Sequence, residues 1–132
     1  MKLLLDTHVL LWAASGSVSQ TDGLSERAID LLGDTGNQLH FSAASLWEIA
    51  IKSGPGRDDF QADARLLRRA LLDNNYIELP VTGEHAAAVL DLPPIHKDPF
   101  DRMLVAQARC EGLTLLPADP LVEQYSGPIE RV

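Results

Sequence analysis

The chain has 132 residues, enough for one domain with a real core, and its hydrophobic share of 45% is ordinary for a globular protein. A net charge of −8 argues against phosphate binding by a broadly basic surface, although carboxylates gathered on divalent ions would invert the local field. No apolar run approaches the roughly 18–20 residues of a membrane span, the start does not read as a signal peptide, and a single cysteine, Cys110, rules out an internal disulfide; the cytoplasm is the expected compartment.

Lys2–Leu5 is an apolar run of strand length that stops at Asp6, and Thr7–Ala14 reads as a helix. Residues 15–22 are Gly/Ser-rich and read as loop. Ser25 is a good N-cap for a helix that ends at Gly33 or Gly36. Leu39–Phe41 is a second short strand, and Ser42 caps a helix over about 43–52, in which Ser45 and Glu48 match the capping-box pattern S-x-x-E. SGPGR, Ser53–Arg57, breaks it.

Phe60–Asp73 is helical, with Arg65, Arg68 and Arg69 on its polar side. Tyr76–Leu79 is a third strand, and Thr82 caps a helix to Leu90. Leu92–His96 is a rigid connection through Pro93 and Pro94. Asp98 or Pro99 opens the longest helix, to about Glu111, before a fourth strand at Leu113–Leu116. Asp119–Tyr125 reads as a short helix and Pro128–Val132 as a fifth, edge strand. Short apolar strands alternating with helices predict an α/β fold with a parallel sheet.

Four acids share one kind of address. Asp6 follows the first strand, Glu48 lies on the helix after the second, Asp101 is in the first turn of the long helix, and Asp119 follows the fourth strand. In a parallel sheet all carboxyl strand ends point the same way, so these segments meet along one rim. Such a ring offers the hard oxygen ligands that Mg²⁺ or Mn²⁺ takes, and ions so held activate water and stabilise phosphoryl charge. Each acid also has a local explanation. Asp6 and Asp119 suit N-caps, Glu48 suits the capping box and Asp101 suits the helix dipole. Asp98, before Pro99, suits an N-cap with Pro at N1, with direct help to a metal as its alternative.

Three stretches carry a family resemblance: LLLDTHVLLWA at Leu3–Ala13, SAASLWEIAIKSG at Ser42–Gly54 and LPPIHKDPFDRMLVAQA at Leu92–Ala108. Together they resemble the PIN-domain ribonucleases, in particular the VapC-type toxins of toxin–antitoxin pairs. The resemblance implies a single PIN-like domain over 1–132, with a parallel sheet of about five strands between helices. It implies a metal-dependent endoribonuclease for single-stranded RNA, with Mg²⁺ or Mn²⁺ held by Asp6, Glu48, Asp101 and Asp119. It also implies homodimerisation and a cognate VapB-type antitoxin that blocks the site.

The pattern has one departure. The family commonly carries Thr two residues before its last acid, and here that residue is Pro117, which lacks the hydroxyl and the backbone N–H. The alternative is therefore a weak or inactive PIN domain that dimerises and binds an antitoxin. A phosphatase of the haloacid-dehalogenase type would need a second acid where His8 stands, and receiver domains need an acidic pair that is absent.

Supporting roles are open for Thr7 and Ser45, which either position a water or a phosphate or only cap. Arg102 meets either a substrate phosphate or, the favoured reading, a neighbouring carboxylate. Lys52, Arg57, Lys97 and the Arg65/Arg68/Arg69 cluster are RNA contacts or solvated charges. His8, His40, His85 and His96 lack metal-ligand spacing and suit core or loop roles. Trp12 and Trp47 suit the core or a dimer interface.

Overall fold

A computed structural model describes residues 1–14, 25–53, 62–118, 122, 125, 129 and 130. The opening apolar run forms β1 (Lys2–Leu5). It lies inside a parallel sheet with β2 (Gln38–Ser42), β3 (Ile77–Leu79) and β4 (Thr114–Leu116), in the order β3-β2-β1-β4. Leu4 is paired with His40 on one side and Leu115 on the other. The chain moves from β1 outward through β2 to β3, then returns to place β4 on the far side of β1. The crevice between β1 and β4 is thus the switch point of the topology, and Asp6 stands at its carboxyl end.

Successive residues of β1 serve two cores, as the period-2 alternation of a strand requires. Leu3 and Leu5 join Phe41 and Leu116 on one face. There they meet Val9 and Leu10 of α1 (Thr7–Ala14), Ile49 of α3 (Ala43–Lys52), and Leu67 and Leu71 of α4 (Ala64–Asp73). Leu31 and Leu32 of α2 (Glu26–Gly33) pack on the same core. Leu4 faces the other way, into Leu104, Val105, Ala106 and Ala108 of α6 (Pro99–Glu111). Burial on both faces explains why this strand reads as unbroken Leu rather than as an apolar/polar alternation.

Helix starts follow their oxygen-bearing caps. Ser25 accepts the Ala28 N–H at 3.1 Å, Ser42 that of Ala44 at 3.0 Å, and Thr82 that of His85 at 3.2 Å, opening α5 (Gly83–Ala88). Asp98 accepts the N–H groups of Phe100 and Asp101 at 2.8 and 3.3 Å, with Pro99 as the first helical residue, as its sequence position predicts. Gly112 ends α6 at φ 68°, a left-handed geometry that suits glycine.

Several expected boundaries move. The described sheet has four strands rather than five; Ile129 makes a single parallel bridge to Leu115, with the Glu130 N–H on the Leu115 carbonyl at 2.9 Å. Helix α4 begins at Ala64 instead of Phe60, because Asp63 accepts the N–H groups of Arg65 and Leu66. The helix after Thr82 stops at Ala88, and Val89–Asp91 is a turn of 3-10 helix. The capping box at Ser45 and Glu48 does not form, since Ser42 is the N-cap and Ser45 already lies inside α3. The loop expected at 15–22, the breaker from Gly54 and most of the expected helix 119–125 lie outside the described residues. No helix among the described residues is long and apolar enough to cross a membrane.

One buried polar chain joins the elements that carry the acids. The Ser42 hydroxyl, at the junction of β2 and α3, donates to Gln107 Oε1 of α6 at 2.6 Å. Gln107 Nε2 donates to the Pro80 carbonyl at 3.3 Å and lies 3.4 Å from His85 Nδ1, whose ring reaches Glu111 through Nε2 at 2.9 Å. Ser42, Gln107 and His85 are fully buried, so these bonds satisfy groups that water does not reach.

Candidate metal centre

Asp6 is 3% exposed. One carboxylate oxygen accepts the Val9 N–H at 2.9 Å, which makes it the N-cap of α1; the other accepts the N–H of Ala118, just past β4. The Asp6 N–H donates in turn to the Leu116 carbonyl at 3.2 Å. The N-cap and rim readings of Asp6 thus hold together: capping fixes the side chain in the β1/β4 crevice.

Glu48 is also 3% exposed, although it lies in the middle of α3. Its Oε2 is 2.6 Å from the Lys52 ammonium, one helical turn on. Its Oε1 is buried and has no hydrogen-bond partner among the described residues. A buried carboxylate oxygen without a partner is costly, and it marks a place where a cation or a donor is wanted.

Asp101 stands in the first turn of α6. Its carboxyl is pushed up to about 7 from an ordinary 3.8, first by burial, then by the negative charges of Asp98, Asp6 and Glu48, while His96 works in the opposite direction. Acids from three separate segments are therefore close enough to repel one another. His96 Nδ1 accepts the Asp98 N–H at 2.9 Å, so Nε2 carries the proton of the neutral ring, 3.3 Å from Asp101 Oδ2. Asp119, the fourth expected acid, lies outside the described residues.

The supporting residues divide. The buried Thr7 hydroxyl donates to the Ser45 hydroxyl at 3.0 Å, joining the first turns of α1 and α3 beside Asp6. Asp98 Oδ2 lies 3.6 Å from the Lys52 ammonium. Among the described residues Arg102 does not have the expected carboxylate partner. Its guanidinium donates to the carbonyls of Val89, Leu92 and Pro93 at 3.2, 3.4 and 3.0 Å and to the Tyr125 hydroxyl at 3.3 Å. Arg68 of the basic cluster is paired with Glu78 at 2.8 Å.

Two residues given other roles in the sequence reading stand at the acids. Lys52 is on the acids, and His96 is at Asp101 instead of in a purely structural loop role. The i, i+4 spacing of Glu48 and Lys52 was a signal for the first. The short interval in HKDPFD was the only signal for the second. Trp47 is 64% exposed rather than in the core, edge-on to Phe100 at 5.4 Å between ring centres. With Ala43, Ala44, Val81, Pro99, Phe100 and Met103 it lines an apolar groove of about 470 Å³ beside the acids.

Among the described residues, no three His, Cys, Asp or Glu side chains are placed to hold a metal ion as they stand. The donor chemistry nevertheless fits a hard divalent cation: clustered carboxylates, the mutual repulsion that raises Asp101, and the unpartnered Glu48 oxygen.

A family model described as PIN domain matches residues 3–127. Solved structures with a similar fold include VapBC2 from Rickettsia felis bound to a DNA fragment from its promoter (TM-score 0.67, 12% identity, 98% of each chain covered). A toxin–antitoxin complex from Klebsiella pneumoniae is similar over 98% of this chain and 96% of that one, at TM-score 0.66 and 17% identity. DNA-bound VapBC from Salmonella typhimurium is similar over 98% and 97%, at 0.63 and 17%. No curated protein matched the sequence.

Proposed function

The chain belongs to the PIN-domain family, and from that premise we propose that it is a metal-dependent endoribonuclease that hydrolyses phosphodiester bonds of single-stranded RNA as the toxin of a toxin–antitoxin pair. PIN domains are generally nucleases, which supports the hydrolytic part of this reading. The observation that carries it is the gathering of acids from separate segments: one Lys52 ammonium reaches both Glu48 and Asp98, and the charges of Asp98, Asp6 and Glu48 push Asp101 up.

Asp6, Glu48 and Asp101 would hold Mg²⁺ or Mn²⁺, with Asp119 the further donor the sequence offers. When bound, such an ion supplies an acidified water and positive charge beside the phosphoryl oxygens. The rest falls to the chain. The N–H groups of Val9 and Ala118 fix Asp6 in the crevice. His96 Nε2 holds one oxygen of Asp101, the kind of outer partner that orients a ligand. The Asp101 carboxyl keeps part of its proton near neutrality and would have to be ionised to serve as a ligand. Thr7 and Ser45 place paired hydroxyls beside Asp6, where they can orient a water or a phosphate oxygen.

A net charge of −8 does not oppose this reading, because a divalent ion in the acidic cluster presents positive charge to the RNA backbone. The three similar folds come from toxin–antitoxin or VapBC structures, which supports a VapB-type antitoxin as partner. Homodimerisation and action in the cytoplasm belong to the same proposal.

The test is cleavage of single-stranded RNA by the purified chain during a Mn²⁺ titration, alongside Asp6→Asn. Metal-dependent cutting by wild type and not by the variant is expected. Absence of both Mn²⁺ binding and cleavage overturns the reading; binding without cleavage favours the antitoxin-binding PIN domain that does not cut.

A further inference from the structure

Lys52 follows Glu48 by one turn of α3, with its Nζ 2.6 Å from Glu48 Oε2, 3.6 Å from Asp98 Oδ2 and 5.5 Å from the centre of the Phe100 ring. One ammonium thus bridges carboxylates from two segments, α3 and the cap of α6. That is the task a divalent ion would take up at this rim. We propose that the Lys52 ammonium is a resident competitor for the divalent cation: it compensates Glu48 and Asp98 in the metal-free chain and must release Glu48 before that carboxylate serves an ion. The inference rests on the metal-dependent reading above and adds a residue that sets metal affinity.

Three observations converge on it. First, among the described residues no three acids are placed to hold an ion as they stand, and Glu48, a central member, has one oxygen on the ammonium and the other buried without a partner there. Second, the like charges of an ammonium and a divalent ion a few ångströms apart repel strongly in a partly buried setting, so both cannot rest on Glu48 without loss. Third, the structure offers the ammonium somewhere else to go. It already lies near the Phe100 ring, whose face attracts cations, and a flexible lysine stem can swing where a planar arginine fork would be held.

A lysine that only oriented Glu48 would have the opposite effect on metal affinity, so the sign of one measurement decides. The full chain is titrated with Mn²⁺ at about pH 8, free ion being followed by electron paramagnetic resonance, for wild type, Lys52→Met and Lys52→Arg. Thermal unfolding of each is recorded in chelator and in Mn²⁺. Lys52→Met is expected to bind Mn²⁺ roughly tenfold tighter or more, to melt lower in chelator, and to gain more from Mn²⁺ than wild type does. Lys52→Arg retains the charge on a fork that swings aside less readily, and is expected to bind Mn²⁺ no tighter than wild type. Should Lys52→Met fail to fold, Lys52→Gln keeps a polar stem and is expected to shift affinity in the same direction. Equal or weaker binding by the neutral variants overturns the competitor role while leaving the metal-dependent nuclease standing. No Mn²⁺ binding by any of the proteins overturns both.

Discussion

Ser42 and Gln107 meet at 2.6 Å in the interior, and through them the helix that carries Glu48 is tied to the helix that carries Asp101. Gln107→Ala would leave the Ser42 hydroxyl and the Pro80 carbonyl without this partner and open a small void. A loss of about 2–4 kcal/mol is expected in urea unfolding. Mn²⁺ affinity is expected to fall as well, because the spacing of the two acids is no longer fixed by a shared buried bond.

Asp6→Asn separates structure from chemistry. The amide oxygen can still accept the Val9 N–H, whereas the bond from Ala118 loses its acceptor. Stability is expected to stay within about 2 kcal/mol of wild type, because a single hydrogen bond changes. RNA cleavage is expected to fall by about 100-fold or more, since the central carboxylate has lost its charge. Paired denaturation curves and cleavage rates check this.

The Asp101 carboxyl makes the metal-free chain lose stability as pH rises. Its folded value of about 7 lies above the ordinary 3.8, so between these the folded state holds a proton that the unfolded state has released. The associated stability is fully present below about 3.8, declines across that window and is gone above about 7. The total is about 4 kcal/mol at most. Thermal unfolding in chelator should therefore give a lower midpoint at pH 8 than at pH 5.5, with Asp101→Asn flattening the difference. Mn²⁺, which favours the ionised form, should raise the midpoint more at pH 8.

Arg102 is a clamp on the Leu92–His96 connection. Arg102→Ala removes donors from the carbonyls of Val89, Leu92 and Pro93 and is expected to cost about 2–3 kcal/mol. Arg102→Lys should recover less than half of this in thermal unfolding, because one ammonium cannot reproduce the guanidinium fork.

The sheet core and the long helix were legible because their signals are local and redundant. Unbroken Leu in β1 means burial on both faces, and Asp98 before Pro99 admits few geometries other than a cap. The beginning of α3 was legible at Ser42, which caps it, whereas the S-x-x-E pattern at Ser45 and Glu48 matched a capping box that does not form inside the helix. For Trp47 the core half of the expectation fails while the dimer-interface half stays open, because α3 is apolar on more than one side and periodicity alone does not say which side faces the groove. His96 at Asp101 and the carbonyl partners of Arg102 depend on how the Pro93–Pro94 connection folds back on α6, a relation through space that spacing does not encode.

The Asp6 carboxylate accepts the N–H of Ala118, a partner 112 positions along the chain. The strand at the centre of the sheet, β1, is therefore seated by the residues that follow β4, far along the chain. Contacts of such separation form late and slow folding, because a long loop must close before they reward it. Until β4 slides in beside β1, the central acid lacks one of its two anchoring N–H groups. A chain in which β4 has not yet docked accordingly carries Asp6 without its finished cradle, and the acidic rim is completed only with the closing of the sheet.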